Sequence, residues 1–257
     1  MIKLTARNIA KSYSTNGREL RLFHHLSFVL GSNKFYCLFG PSGSGKTTLL
    51  NIIAHLTVPD TGTLEITKDN TPISISAIRV GYVFQDDRLL PWKTVAENID
   101  FILQPHVSSL AKRRERIRYF LDLTHLLHKA HSYPRSLSGG EKQRANLARA
   151  LSIDPEVIFM DEPYSHLDEL TARQLRIDLM RIWTQNPKPV VFVSHNPLES
   201  IFLADEILCI PRVPFRRLRR IYVSIPRPRS DKFYEDFIFE PATKNILKNL
   251  LGGNTQT

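Results

Sequence analysis

Cysteine is almost missing from this chain: Cys37 and Cys209 are the only two among 257 residues. Both lie in apolar runs and read as buried free thiols, so the disulfide framework that holds small secreted domains together is excluded. Long apolar runs are missing as well, and nothing approaches the roughly 20 residues that a bilayer-crossing helix needs. The opening MIKLTARNIAKSYS has no long apolar core, so a secretory leader is not expected. No internal repeat and no low-complexity stretch is found, which removes solenoids and disordered arrays from consideration.

What is present is an ordinary globular profile, 42% hydrophobic and 23% charged, long enough for one large domain or two small ones. The formal net charge of +10 invites a nucleic-acid partner. Its distribution argues against one. Residues 211–257 hold ten Lys and Arg against four Asp and Glu, a surplus of six in the last fifth of the chain. The basicity belongs to a tail, and whole-domain DNA binding is not expected.

Hydrophobic patterning predicts the framework. NKFYCLFGPSGSGKTTLLNIIAHL passes from a short apolar run through a glycine-rich turn into a helical pattern of Leu49, Leu50, Ile53 and Leu56. RVGYVFQ (79–85), EVIFMDE (156–162) and PVVFVSH (189–195) are short apolar runs, and the last two are rich in β-branched residues, as buried parallel strands are. From Thr94 to about Leu151 the pattern is mostly helical, with Ile117, Phe120, Leu121, Thr124 and Leu127 along one side. A further helix is predicted from Thr171 to Trp183. Strand, helix and strand in this order predict a doubly wound α/β core interrupted by a helical insertion. Pro211 and Pro214 mark the predicted end of that core.

Gly40-Pro41-Ser42-Gly43-Ser44-Gly45-Lys46-Thr47 matches G-x4-G-K-[ST] and stands between a predicted strand and a predicted helix. In such a loop the glycines let backbone N–H groups close around phosphate oxygens, Lys46 reaches the outer phosphates, and the Thr47 hydroxyl ligates Mg²⁺. Asp161 ends an apolar strand and Glu162 follows. Alone the pair also reads as an acidic helix start. Beside a matched phosphate loop, Asp161 suits Mg²⁺ held through water and Glu162 a general base for the attacking water. Gln85 and His195 each follow a strand's C-terminal end, where open α/β sheets bind ligands. A second glycine loop, Ser138-Gly139-Gly140 in LSGGEKQRANLARAL (137–151), opens another predicted helix with Glu141 in its first turn. It is a setting for an anion, but it has no lysine of its own.

Taken together these segments resemble the ATP-binding subunits of ABC transporters, over about residues 1–210. GPSGSGKTT, through Thr48, matches the P-loop, VFQ the Q-loop, LSGGEKQR the signature, VIFMDEP the Walker B strand, SHLD the D-loop with Asp168, and the SH of 194–195 the switch histidine. The resemblance implies a P-loop ATPase core, a mostly parallel sheet with an antiparallel β subdomain, and a helical subdomain at about 87–150 that carries the signature. It implies that Tyr13 stacks on adenine and that Gln85, with Thr47 and Asp161, serves Mg²⁺, partly through water. It further implies a head-to-tail homodimer, in which Leu137, Ser138, Gly139, Gly140 and Glu141 of one chain close on the ATP held by the other.

Within that family, FQDDRLLPWKTVAENI (84–99) and SIPRPRS (224–230) resemble the nitrate, sulfonate and taurine importer ATPases. The implied partners are two transmembrane permease subunits and a substrate-binding protein, and the implied cargo is a small anion or a pyrimidine precursor. The implied location is peripheral, at the cytoplasmic face of the cell membrane. A soluble ABC ATPase acting on nucleic acid or ribosomes is the competing class. Its DNA-repair form needs a long heptad coiled coil between P-loop and signature, and its ribosomal form carries two cassettes per chain. Glu141, His166 and Asn196 depart from the commoner family residues, and an arginine cluster replaces the usual turn after the last core strand. For the basic extension 211–257 three settings compete: an edge strand with solvated arginines, a lipid contact, or a partner contact. Solvated or partner-facing arginines are expected over lipid.

Overall fold

The structure, a computed structural model, describes residues 1–15, 18–227, 229, 233 and 241–252. In chain order it runs through β1 (Ile2–Thr15), β2 (Arg18–Leu30), β3 (Phe35–Phe39), α1 (Lys46–Ile53), β4 (Thr61–Lys68), β5 (Thr71–Ile73) and β6 (Val80–Val83). There follow α2 (Val95–Leu103), α3 (Leu110–Leu123), α4 (Gly139–Ser152), β7 (Val157–Asp161) and α5 (Glu169–Gln185). The last elements are β8 (Val190–Ser194), α6 (Pro197–Leu203), β9 (Glu206–Cys209), β10 (Arg219–Tyr222) and α7 (Pro241–Gly252). The fold is α/β, mostly parallel, with an antiparallel subdomain and a helical insertion, as the sequence predicts. The chain divides into two units, Met1–Ala77 with Met180–Thr257, and Ile78–Leu179.

The first unit holds an antiparallel sheet in the order β2-β1-β4-β5. Along β1, Ile2, Leu4 and Ala6 are buried while Lys3 and Arg7 are exposed, the alternation of a half-buried strand broken only at Thr5, which is buried as well. A register shift between Ala6 and Ile9 resets the phase, so that Ile9 faces inward too. In the same unit β3 pairs in parallel with β8 and β9, and β10 adds antiparallel to β9. Tyr36, Cys37, Leu38 and Val190 to Val193 are buried without alternation, because helices α1 and α6 pack against β3 and β8.

The second unit pairs β6 with β7 in parallel, and α2, α3 and α4 pack on one another. Thr94 starts α2 with a capping box to Glu97. Buried Asn98 receives the Leu90 N–H at 2.7 Å and donates to the Leu90, Lys93 and Thr94 carbonyls. That one side chain holds the LLPW segment against the start of the helix.

Several expectations change. Leu56 lies past the end of α1 and is 56% exposed, because the chain turns at His55 with φ 57. Leu127 sits in a 3-10 turn after α3 rather than on its apolar side. Cys37 is buried, but Cys209 is only half-buried, near the Arg219 guanidinium. The chain does not leave the core at Pro211: it returns as β10 beside β9, and position 211 falls inside the first unit. Arg216, Arg217 and Arg219 are exposed, whereas Arg229 is 4% exposed. Pro228 and Ser230 of the 224–230 segment lie outside the described residues.

Candidate functional site

The site residues fall into two sets, one in each unit. In the first unit β3 ends at Phe39 and the chain turns through the glycine loop into α1. Gly45 takes φ 84, where a side chain is strained, and a Cβ there would press on Leu22 Cδ1 at 3.3 Å. Helix α1 opens bare, with no side-chain cap and no acidic residue in its first turn. A helix start of this kind, with its dipole unopposed by an acidic side chain, suits an anion in the loop. Lys46 is 5% exposed, and its ammonium folds back to donate to the Pro41 carbonyl at 2.9 Å. Ser44 Oγ is buried with no hydrogen-bond partner. A phosphate oxygen would satisfy it, which is direct support for the group the motif implies. Ser42, Gly43 and Thr47 are exposed, and Thr48 is half-buried.

The end of β8 lies beside this loop. Ser194 is paired with Phe39, so His195 and Gly40 leave neighbouring strand ends. His195 is exposed, and both its neighbours are fastened. Ser194 Oγ donates to Glu199 Oε2 at 2.8 Å, and Asn196 Oδ1 accepts the N–H groups of Leu198 and Glu199 at 2.9 and 3.3 Å, capping α6. Asparagine caps a helix as well as aspartate does, which explains the departure at 196. Tyr13 stands on β1 opposite Leu20, 43% exposed, with Lys11 Nζ 5.4 Å from its ring centre. Its ring offers an aromatic face for stacking.

In the second unit, Val83 of β6 pairs with Met160 of β7, which brings Gln85, Asp161 and Glu162 to neighbouring strand ends. Asp161 ends β7 at 3% exposure, and burial together with its charge pushes the Tyr82 phenol well up. Glu162 has φ 46, a strained setting for a residue with a side chain, of the kind found where geometry serves chemistry. The pair is a strand end and a turn rather than a helix start.

Helix α4 begins at the second glycine loop. Ser138 Oγ accepts the Glu141 N–H at 3.2 Å, and Glu141 Oε2 accepts the Ser138 N–H at 2.8 Å, a reciprocal capping box. The Ser138 N–H holds the Glu141 carboxyl below its ordinary range, helped by Lys129, and Glu141 here has a local structural reason. Ser138 and Gly139 are exposed, while Leu137 is buried. A Cβ on Gly140 would stand 3.1 Å from Leu167 Cδ2, so the D-loop lies against the signature glycines. Asp168 accepts the Thr171 N–H at 2.9 Å, and the two hydrogen bonds from Thr171 lower its pKa. His166 is exposed beside Gly139.

Two residues that sequence reasoning passed over fasten the Q-loop. Asn146 donates to the Phe84 carbonyl at 2.9 Å, and Arg149 to the Arg88 and Asp87 carbonyls at 2.7 and 2.9 Å. Both are on α4, so the signature helix and the Q-loop are bonded to each other. The only sequence signal is a polar pair at i, i+3 within an alanine-rich helix, and nothing in it points to acceptors 61 or 62 residues away.

Comparison with known proteins shows the family. The family model for ABC transporters matches residues 23–165. An ABC transporter ATP-binding protein of Methanocaldococcus jannaschii is 34% identical over 96% of this chain and 92% of its own length. A taurine import ATP-binding protein of Pseudomonas fluorescens is 40% identical over 77% of this chain and 74% of its own. Its counterpart in Pseudomonas aeruginosa is 35% identical over 88% and 86%. Among solved structures, the dimeric structure of a bacterial ABC transporter cassette superposes with a TM-score of 0.77 at 28% identity, covering 87% of this chain and all of that one. A dimeric post-hydrolysis cassette bound to ADP and phosphate gives 0.76.

Proposed function

The chain belongs to the ABC transporter family as an ATP-binding subunit, and on that premise we propose that it is the motor of an importer for a small anion of the sulfonate class. The observation that carries the reading is the presence in one chain of two unlike anion-ready helix starts, only one of which has a lysine. A helix start without its own lysine is explained when it serves the phosphate held by a second copy. The taurine-import names of its relatives support the importer class and the cargo class.

In this reading the loop from Gly40 to Thr48 cradles the phosphates, Lys46 neutralises the outer ones, and Tyr13 stacks on the base. The oxygen donors Thr47, Asp161 and Gln85 are the kind that Mg²⁺ takes, and the ion supplies charge neutralisation on the β- and γ-phosphates. Glu162 takes the proton of the attacking water, and His195 holds the γ-phosphate side. Ser138 and the N–H groups of Gly139 and Gly140 close on the partner copy's nucleotide, with Leu137 and Glu141 holding the loop and Asp168 the adjoining turn. Two membrane permease subunits and a substrate-binding protein complete the assembly, with the motor peripheral at the cytoplasmic face. Among the described residues no helix is long and apolar enough to cross a membrane.

The test is Glu162→Gln. Loss of a general base lowers the rate by about 10²–10⁴-fold while leaving binding intact. The variant is expected to bind MgATP like the wild type and to elute as an ATP-dependent dimer on gel filtration. Turnover at the wild-type rate would remove Glu162 from its role.

A further inference from the structure

The basic C-terminal segment contains two arginines that are not solvated. Helix α6 ends at Leu203, which leaves its last carbonyls without partners inside the helix. Arg229 Nη1 donates to the carbonyls of Ile201, Phe202 and Ala204 at 2.8, 2.9 and 2.6 Å, and Arg227 Nη2 donates to that of Leu203 at 2.6 Å. Arg229 is tied back to its own segment through the Ile225 carbonyl at 2.9 Å. Arg227 also bonds Asp205 at 2.8 Å and lies 4.5 Å from the Trp183 ring centre. Burial draws the Arg229 pKa down to about 9, so the group stays charged at neutral pH. Two cations at a helix C-terminus complement its dipole. Phe233 meets Phe202 edge-on at 5.1 Å, and α7 packs on the same helix.

The other end of α6 is the switch histidine's end. The helix has only seven residues, and its cap Asn196 directly follows His195. Two turns spanning about 10 Å offer little length over which a displacement at one end is absorbed before it reaches the other. The groups that fasten the last turn therefore bear on the backbone that carries His195.

We propose that Arg229, supported by Arg227, is a positioning residue for His195: clamping the last turn of α6 fixes the capped first turn from which the histidine projects. This rests on the reading of His195 as the γ-phosphate partner. It makes the C-terminal segment part of the motor.

The test uses the full-length chain. Arg229→Met is expected to lower kcat about tenfold with KM for ATP within twofold of wild type, and Arg229→Lys to recover part of the loss. In a His195→Ala background, single-turnover hydrolysis is expected to show no further loss on adding Arg229→Met, because both changes disable one group. The exposed Arg217→Gln is expected to leave kcat unchanged. Wild-type kcat in a folded Arg229→Met chain overturns the inference, as does an equal fold-loss in both backgrounds. Should melting curves show that Arg229→Met does not fold, Arg229→Lys is put through the same two backgrounds and judged by the same non-additivity. Full activity in the single variant His195→Ala would refute the functional reading itself, a result distinct from any failure at Arg229.

Discussion

Helices α1 and α4 both follow glycine-serine loops, yet their N-termini are finished in opposite ways. The first turn of α1 carries no cap and no acidic residue, and it begins at buried Lys46, two residues after the buried, unpartnered Ser44 Oγ of the loop. The first turn of α4 is closed on itself by Ser138 and Glu141. A helix start without a side-chain cap or an acidic residue favours an anion through its dipole, and the adjacent lysine supplies the balancing charge. A capped start is stable without a ligand, which suits a loop that meets phosphate only when a second copy arrives. On the proposed function the two termini divide one task, with permanent holding by α1 and conditional closure by α4.

The sharpest way to break that division is Ser138→Arg. A bulky cation at the closing surface is expected to lower ATP hydrolysis by about 10²-fold or more, the scale on which removal of a phosphate- or oxyanion-stabilising donor acts. ATP binding by the isolated chain should stay within twofold. Normal hydrolysis in the homodimer would sink the shared-site reading. Lys46→Ala should do the reverse. Loss of a charge-assisted hydrogen bond is expected to weaken nucleotide binding about 10- to 100-fold, measured by fluorescent-nucleotide titration. Binding at wild-type strength would show that α1 does not hold phosphate in cis.

Smaller effects sharpen the comparison. Glu141→Ala opens the box and is expected to lower the melting temperature by about 1–3 °C by calorimetry. Glu141→Gln keeps the box but removes a negative charge beside the partner's phosphate. It should tighten the ATP-driven dimer about two- to fivefold, read by gel filtration or light scattering. Because the Glu141 pKa is lowered by folding, the carboxylate's contribution to stability is fully present above its ordinary value of 4.5. It is lost as pH falls through the lower, folded value. The melting-temperature gap between wild type and Glu141→Gln is therefore expected to be constant near neutrality and to close below about pH 4.5. A gap that stays open at low pH would place the effect outside Glu141.

The local chemistry of the site was largely legible in the residues. The runs ending at Phe39, Val83, Asp161 and Ser194 are short, apolar and bounded by polar turns, and each delivers the expected residue at a strand end. Glycine at 45 predicts a left-handed turn because other residues avoid it. Arg216, Arg217 and Arg219 of the tail are exposed as expected, and Arg227 and Arg229 depart from that expectation for an equally physical reason. Charge runs are usually solvated. What makes Arg227 and Arg229 exceptions is a set of orphan carbonyls at Leu203 and its neighbours, which lie more than twenty residues earlier in the chain. The helical stripe through Leu127 and the extension of α1 to Leu56 failed because a turn ends each helix first.

By itself, then, the order of residues determined which groups can bind phosphate, which can take a proton, and where the strands that carry them end. These depend on side-chain chemistry and on periodicities of two or four residues. Tertiary structure alone decided what holds those groups in place: Asn146 and Arg149 on the Q-loop backbone, Asn98 on the LLPW segment, and Arg227 and Arg229 on the end of α6. Each of these bonds ends on a backbone carbonyl or N–H group. Every residue carries such groups, so sequence cannot mark which of them will be left unpaired, and only packing shows which side chain reaches them.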